Sequence, residues 1–315
     1  MSLNLPTPTT PLKIGTRGSP LALAQAHETR ARLSQAFDLE ESCFEIIVIK
    51  TTGDRVLDRP LKEIGGKGLF TREIEEDLLS GRIDIAVHSM KDMPTEQPAG
   101  LILDTYLPRE DVRDAFVSLT KNSMDALEAG QKLGSSSLRR KAQLMLARPD
   151  LEVVEFRGNV QTRLKKLEDG VADATFLAAA GLNRLGLSHI AQSFLDPDVM
   201  LPAVAQGAIG IERRSDDTRI AEILSAIHDT STGHRLAAER AFLRGLDGSC
   251  ETPIAGLAEL KGATLRLRGE VLRPDGSEAI NDDQTCPIED AEILGTEMAI
   301  KIINNTPNNF FDWKS

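Results

Sequence analysis

The apolar positions change period several times along the chain. LKIGT (12–16) is a short apolar run, followed by Ser19-Pro20, a helix N-cap with proline at the first helical position. LALAQAHETRARLSQAF then repeats at helical spacing. FEIIVIKT (44–51) is a continuous apolar, β-branched run, the pattern of a strand buried on both faces. TTGDRVLDRPLKEIGGKG is polar, carries three glycines near its end and reads as a long loop. FTREIEEDLLSG has helical spacing and closes at Gly81, IDIAVHS (83–89) is a third strand, and KDMP turns out of it. The order β-α-β-α-β predicts a parallel sheet with helices on both faces.

The same grammar returns from about residue 113. DAFVSL and QKLGS are strands, and SSSLRRKAQLMLAR is a helix behind a serine cap. LEVVEFR is a strand, NVQTRLKKLEDG a helix ending at Gly170, and ADATFLA another strand. AIGIERR (208–214) stands alone and is free to cross back to the first lobe. ATLRLRGEVL, a Pro-Asp-Gly turn and SEAINDDQT predict an antiparallel hairpin, and EDAEILGTEMAIKIINN an amphipathic helix. The expected class is α/β: two doubly wound lobes plus a small α+β C-terminal domain. The expected boundaries are 12–107 with 203–225 for the first lobe, 108–202 for the second, and 226–315 for the third part.

Composition narrows the partners. With 41% hydrophobic and 27% charged residues, the 315-residue chain has the make-up of a soluble protein with a real core. A formal net charge of -11 repels polyanions and argues against nucleic acid and membrane surfaces, and one Trp and one Tyr leave few stacking platforms. Cys43, Cys250 and Cys286 are too widely spaced for a disulfide framework or a zinc pattern, so a reducing compartment is expected and no metal. MSLNLPTPTTPL lacks a basic n-region and an apolar run, which reads as no signal peptide; a cytoplasmic location follows as the expectation. Against this acidic background, Gly134 to Lys166 holds eight Arg/Lys and three Asp/Glu. A local basic cluster on an acidic protein points to a small anionic ligand.

Ligands of open α/β sheets bind at the carboxyl ends of the strands. Those ends deliver Arg17 and Ser19, Thr51–Asp54, then His88, Ser89, Lys91 and Asp92 in the first lobe. In the second they deliver Ser135–Ser137, Arg139, Arg140 and Arg157, with Arg163 further into the next helix. Arg139 and Arg140 occupy a first helical turn, where the macrodipole disfavours cations; an anion resting on that N-terminus and gripped by both removes the conflict. GGKG (65–68) lacks P-loop spacing and reads as a loop. Asp92 is either a turn residue before Met-Pro or a carboxylate that faces a positive intermediate. His88 is either a base or structural. Cys250, in the small-residue loop LDGSCETPIAG near Arg244, is either an inert core thiol or a reactive one.

Read in order, TRGSPLALAQA (16–26), GGKGLF (65–70), DIAVHSMKDMP (84–94), REDVRDAF (109–116), GSSSLRRKAQL (134–144), RGNVQTRL (157–164), LAAAGLNRLGL (177–187), LPAVAQGAIGIE (201–212) and ERAFLRGLDGSCETPIAG (239–256) resemble the porphobilinogen deaminase (hydroxymethylbilane synthase) family. The resemblance runs from about residue 12 to 256. It implies two lobes similar to periplasmic binding proteins, a third domain whose cysteine, here Cys250, holds a dipyrromethane cofactor, and a monomer. It implies head-to-tail condensation of four porphobilinogen molecules with loss of ammonia. By position, the catalytic aspartate is Asp92. Cofactor contacts fall on Lys91, Ser137, Arg139, Arg140 and Arg163, and substrate contacts on Arg17, Ser19, Arg157 and Arg184. Lys67 and Phe70 fall in a loop that covers the site. Two positions depart from the family pattern: Ser249 replaces a glycine before the cysteine, and Glu63 replaces a lysine found in some relatives. A two-lobed binding protein for a small polycarboxylate is the rival reading.

Overall fold

The computed structural model describes residues 3–52, 71–249, 252–307 and 309–312. β1 (Leu12–Arg17) passes into α1 (Pro20–Phe37) through Ser19, whose Oγ accepts from the Ala22 amide at 3.3 Å. Then come β2 (Phe44–Ile49), α2 (Arg72–Leu79), β3 (Ile85–Ser89), a 3-10 turn at Met90–Asp92, and β4 (Leu101–Tyr106). β5 (Asp114–Ser118), β6 (Lys132–Gly134), α3 (Leu138–Ala147), β7 (Glu152–Val154), α4 (Val160–Glu168), β8 (Ala174–Ala178), α5 (Ala179–Arg184) and β9 (Ser193–Phe194) follow. The chain continues with β10 (Ile209–Arg214), α6 (Thr218–Ser225), α7 (Thr230–Gly245), β11 (Ile254–Lys261), β12 (Thr264–Leu272), β13 (Ala279–Pro287) and α8 (Ala291–Asn305).

Contacts divide the chain into two compact units, Met1–Arg109 with Ala208–Gly233 and Glu110–Gly207 with His234–Ser315. The first holds a sheet of order β2-β1-β3-β10-β4. β1 runs parallel to β2 and β3, and β10 runs antiparallel to both β3 and β4. Side chains alternate across the sheet. Ile85 and Val87 therefore join Leu33 of α1 and Ile220 and Leu224 of α6 on one face, while Ala86 joins Ile74 and Leu78 of α2 on the other. Each fully buried Leu or Ile contributes about 1.5–3 kcal/mol of transfer free energy.

Two expectations change here. The sheet is mixed rather than parallel, because β10 arrives from the far end of the chain and inserts between β3 and β4. FEIIVI is not buried on both faces: it is the sheet's edge, with Glu45 and Val48 exposed. A run of apolar residues does not say how many neighbours its strand has. The expected loop TTGDRVLDRPLKEIGGKG lies outside the described residues from Gly53 onward.

The second unit repeats the plan with the order β7-β6-β8-β5-β9, where β6 is parallel to β7 and β8, and β5 is antiparallel to β8 and β9. Its other sheet is the antiparallel meander β11-β12-β13, whose core of Leu265, Leu267 and Val271 packs on Phe242 of α7 and on Leu294 and Met298 of α8. β11 was not anticipated; IAGLAELK is strand only because β12 pairs along its whole length. The Pro-Asp-Gly turn between β12 and β13 rests on α3. Gly276 there has φ +73°, and an added Cβ meets Met145 Cβ at 2.6 Å and the Ala142 carbonyl oxygen at 2.7 Å, so only glycine fits.

One buried acid marks that same junction. Burial pushes the half-buried Glu270 carboxyl of β12 up to about 7, with the Arg139 charge opposing it only in part, and Oε2 is buried without a hydrogen-bond partner. Its folded-state value exceeds the unfolded value of about 4.3. The stability it contributes is therefore complete below about pH 4.3 and is lost as pH rises through about 7. Glu270→Gln is expected to raise the melting temperature by a few degrees at pH 8 and to change it little at pH 5. Calorimetry at the two pH values checks this; an equal shift at both pH values excludes titration as the cause.

Candidate active site

In the first unit, the carboxyl ends of β1 and β3 open on a recess of about 80 Å³ lined by Arg17, Ser19, Gln25, His88, Ser89 and Asp92, among others. Local structure places each group. The Ser19 cap and Pro20 start α1 at the mouth of the recess. The turn that carries Lys91 and Asp92 is fixed by two backbone bonds, Met90 N to Ala208 O at 3.0 Å and Met93 N to Met90 O at 3.2 Å. Ala208, the residue just before β10, thus helps to hold the turn. Gln25 donates to Ser89 Oγ at 2.8 Å, which orients the serine. Asp92 is exposed, and its carboxylate makes no hydrogen bond or ion pair with a described residue.

In the second unit, Asp114 at the start of β5 is completely buried. Arg139 Nη2 and Arg140 Nη2 each donate to it at 2.7 Å, one to either oxygen. Gln206 Nε2 adds a third bond at 2.9 Å. The other arms of the two guanidinium groups donate to the Leu201 and Phe176 carbonyls, both at 2.8 Å. Burial alone raises the Asp114 carboxyl; the two arginines outweigh it and hold it well below the usual range.

This corrects one expectation. The sequence suggested an external anion gripped by Arg139 and Arg140 at the N-terminus of α3. The protein supplies that anion itself, and both arginines are buried with their outer nitrogens turned to Asp114 and to backbone. Ser137 caps the helix, its Oγ accepting from Arg140 N at 3.4 Å.

Arg163 differs. It is half-buried, its Nε donates to the Gly158 carbonyl at 2.9 Å, and its terminal nitrogens bond to no described residue. Burial lowers its guanidinium to about 10, with the Arg140 charge adding to the effect. A cation left in this state is a receptor for a carboxylate. Arg157 is paired with Glu155 at 2.8 Å, and Arg184 donates to the Gly207 carbonyl at 3.1 Å. Cys250, Lys67 and Phe70 lie outside the described residues. Beside Cys250, Ser249 N donates to Thr252 Oγ1 at 2.9 Å, and that hydroxyl donates back to the Ser249 carbonyl at 2.6 Å.

The structure thus gathers Arg17, Ser19, Ser89 and Asp92 in one unit, and Ser137, Arg139, Arg140 and Arg163 in the other. Sequence reasoning passed over Asp114, Gln25, Gln206 and Glu212. Two of these had a signal: Asp114 heads the apolar strand DAFVS, and Glu212 interrupts IGIERR at its centre. A charge inside an apolar strand needs a buried partner.

Comparison with known proteins agrees with the motifs. The model of the porphobilinogen deaminase dipyromethane cofactor binding domain matches residues 12–222, and that of the porphobilinogen deaminase C-terminal domain matches residues 234–304. A curated porphobilinogen deaminase from Paracoccus denitrificans is 66% identical over 309 residues, 98% of this chain and 99% of its own length. Among solved structures, a periplasmic substrate-binding protein of an ABC transporter from Coxiella burnetii has TM-score 0.41 and 14% identity, covering 70% of this chain and 93% of its own. A methionine binding protein has TM-score 0.43 and 13% identity, covering 70% and 91%. Overlaps of that size carry no argument, and the topology above stands without them. Two domain models that match in chain order, and a relative two-thirds identical over nearly the whole length, place the chain in the porphobilinogen deaminase family.

Proposed function

We propose that Asp92 is the residue at which this porphobilinogen deaminase does its chemistry. The enzyme is a hydroxymethylbilane synthase: it joins four porphobilinogen molecules head to tail, releases ammonia at each step and delivers a linear tetrapyrrole. The observation that carries the proposal is the exposed Asp92 carboxylate, without a partner among the described residues, on a recess that Arg17 and Ser89 also line. Loss of ammonia from the aminomethyl carbon leaves positive charge on the pyrrole ring. A carboxylate not already spent on an internal cation is available to oppose that charge and to accept the ring N–H. Arg17, Ser19 and Ser89 bind the acetate and propionate of the incoming unit, with Arg157 and Arg184 as further substrate contacts.

Dipyrromethane, the family's cofactor, supplies when bound through Cys250 the free pyrrole carbon to which the first unit is joined. The residues present fit such a polycarboxylate. The terminal nitrogens of the half-buried Arg163 have no partner among the described residues, and Lys91 and Ser137 belong to the same proposed donor set. Arg139 and Arg140 act from behind: bound to Asp114, they supply field and rigidity under Arg163 rather than direct contacts. Lys67 and Phe70 are further substrate-binding residues in this reading. The division into 12–107 with 203–225, 108–202 and 226–315, a monomeric state and a cytoplasmic location belong to the same proposal. Among the described residues, no helix is long and apolar enough to cross a membrane.

Intact-protein mass tests the cofactor attachment. The wild type is expected to weigh more than its polypeptide by one dipyrromethane, and Cys250→Ser to fold, show the bare mass and lack activity. A wild type at bare polypeptide mass with full activity overturns the assignment of Cys250.

A further inference from the structure

The recess beneath Asp92 has a floor that the reading above leaves unused. His88 is the penultimate residue of β3, and alternation turns it to the α2 face of the sheet. The imidazole is buried, yet it lines the recess. Its Nε2 lies 3.1 Å from Oε2 of Glu212 on β10. Nδ1 bonds to no described residue.

Glu212 is 0% exposed, and its second oxygen, Oε1, is buried without a hydrogen-bond partner. A carboxylate in that position is costly to desolvate unless something compensates it. Glu75 of α2 faces the same pair: burial pushes its carboxyl up, and the charges of Glu212 and His88 both act on it. The groups around the imidazole are therefore Glu212 from β10, Glu75 from α2, Asp92 from the turn after β3 and Arg17 from the end of β1. A strand-bound histidine with one nitrogen on a buried carboxylate and the other unclaimed at a recess is arranged to carry a proton.

We propose that His88, oriented by Glu212, is the proton carrier of this site, with Nδ1 as the exchanging atom. The inference rests on the assignment of the Asp92 recess as the reaction site. Each condensation forms a bond between a pyrrole carbon and the methylene carbon that has lost ammonia. The C–H bond at that pyrrole carbon then breaks; its electron pair restores the aromatic ring and its proton passes to Nδ1. The ammonia already released takes the proton from Nδ1 and leaves as ammonium, so the imidazole ends each cycle neutral. Glu212 accepts from Nε2–H throughout and stabilises the imidazolium while it lasts. Asp92 opposes the substrate's charge and His88 moves the proton, so the two tasks fall on different groups.

Two measurements test the division. In the wild type, ¹⁵N spectra of the imidazoles are followed from about pH 5 to 9. The resonances of His88 are identified among five histidines by their loss in His88→Gln. In the neutral ring the proton is expected on Nε2 and not on Nδ1, a readout that needs no turnover. In kinetics, His88→Gln is expected to lose about 10²-fold or more in kcat, to keep KM within about twofold, and to lose the acid limb of the kcat profile. Glu212→Gln is expected to keep the limb and lose part of kcat, because the imidazolium loses its counter-charge. Asp92→Asn is expected to lose activity while keeping the limb. A neutral His88 with its proton on Nδ1, or a His88→Gln with the wild-type limb, overturns the inference and leaves the Asp92 assignment standing. Normal turnover by Asp92→Asn overturns both.

Discussion

Asp92→Asn is expected to lower kcat by at least about 10²-fold while porphobilinogen binding changes little. The amide keeps the size and part of the hydrogen bonding of the carboxylate and removes only its charge. Opposite charges about 4 Å apart at an effective dielectric of about 20 interact by roughly 4 kcal/mol. If the cation exists only during reaction, that energy belongs to the transition state and its loss appears in kcat. Loss of about 3 kcal/mol corresponds to roughly 10²-fold. Asp92 has no partner among the described residues, so the substitution strands no protein group and the melting temperature is expected to hold. Asp92→Glu keeps the charge and moves it by one methylene, and partial activity is expected. Single-turnover kinetics on cofactor-loaded protein decide the matter. A raised KM with unchanged kcat makes Asp92 a binding residue and moves the catalytic role elsewhere on the recess.

The second large effect falls on stability. Arg139→Leu is expected to destabilise the fold by about 3–5 kcal/mol, because it removes half of the counter-charge of a buried carboxylate. Viewed in sequence, Arg139 is one basic residue among eight, and exposed arginines contribute little. Burial reverses that expectation. Arg157→Leu is the control: its partner Glu155 is exposed, and its loss is expected to change stability by less than about 1 kcal/mol. Urea unfolding of the two variants checks the contrast, and equal small effects refute the buried network as a stabilising unit. The acid dependence has a fixed sign. The folded value of Asp114 lies below the unfolded value of about 3.9, so its contribution is complete above about pH 3.9 and is lost only as pH falls further.

What the sequence revealed followed local chemistry. Ser19-Pro20, Ser137 and the Gly276 turn were legible because caps and turns are written in adjacent residues. The place of Asp92 just beyond β3 was legible because the end of that strand can be located in the sequence. The misplaced features depend on residues far apart in the chain. FEIIVI is an edge strand because no described strand pairs beyond it, and IAGLAELK is a strand because β12 lies beside it. Arg139 and Arg140 looked like open receptors because Asp114 stands 25 and 26 residues away, on another strand. The difference between Arg163, whose terminal nitrogens bond to no described residue, and Arg139, whose terminal nitrogens are bound to Asp114 and backbone, is a matter of packing, and no spacing records it.

The insertion of β10 between β3 and β4 sets an order of events during synthesis. β4 ends at Tyr106, and its sheet partner begins at Ile209. Until Arg214 has left the ribosome, β4 has no neighbour in its sheet and β3 shows a bare hydrogen-bonding edge. At roughly 5–20 residues per second, that interval lasts roughly 5–20 s. The sheet begun first is therefore closed only after β5 to β9 have already been made. During the wait the nascent chain presents two unpaired strand edges, the kind of surface that recruits other chains. Holding factors that act on nascent chains have their target here, and removing them is expected to cost yield in this lobe before it costs anything in the finished enzyme.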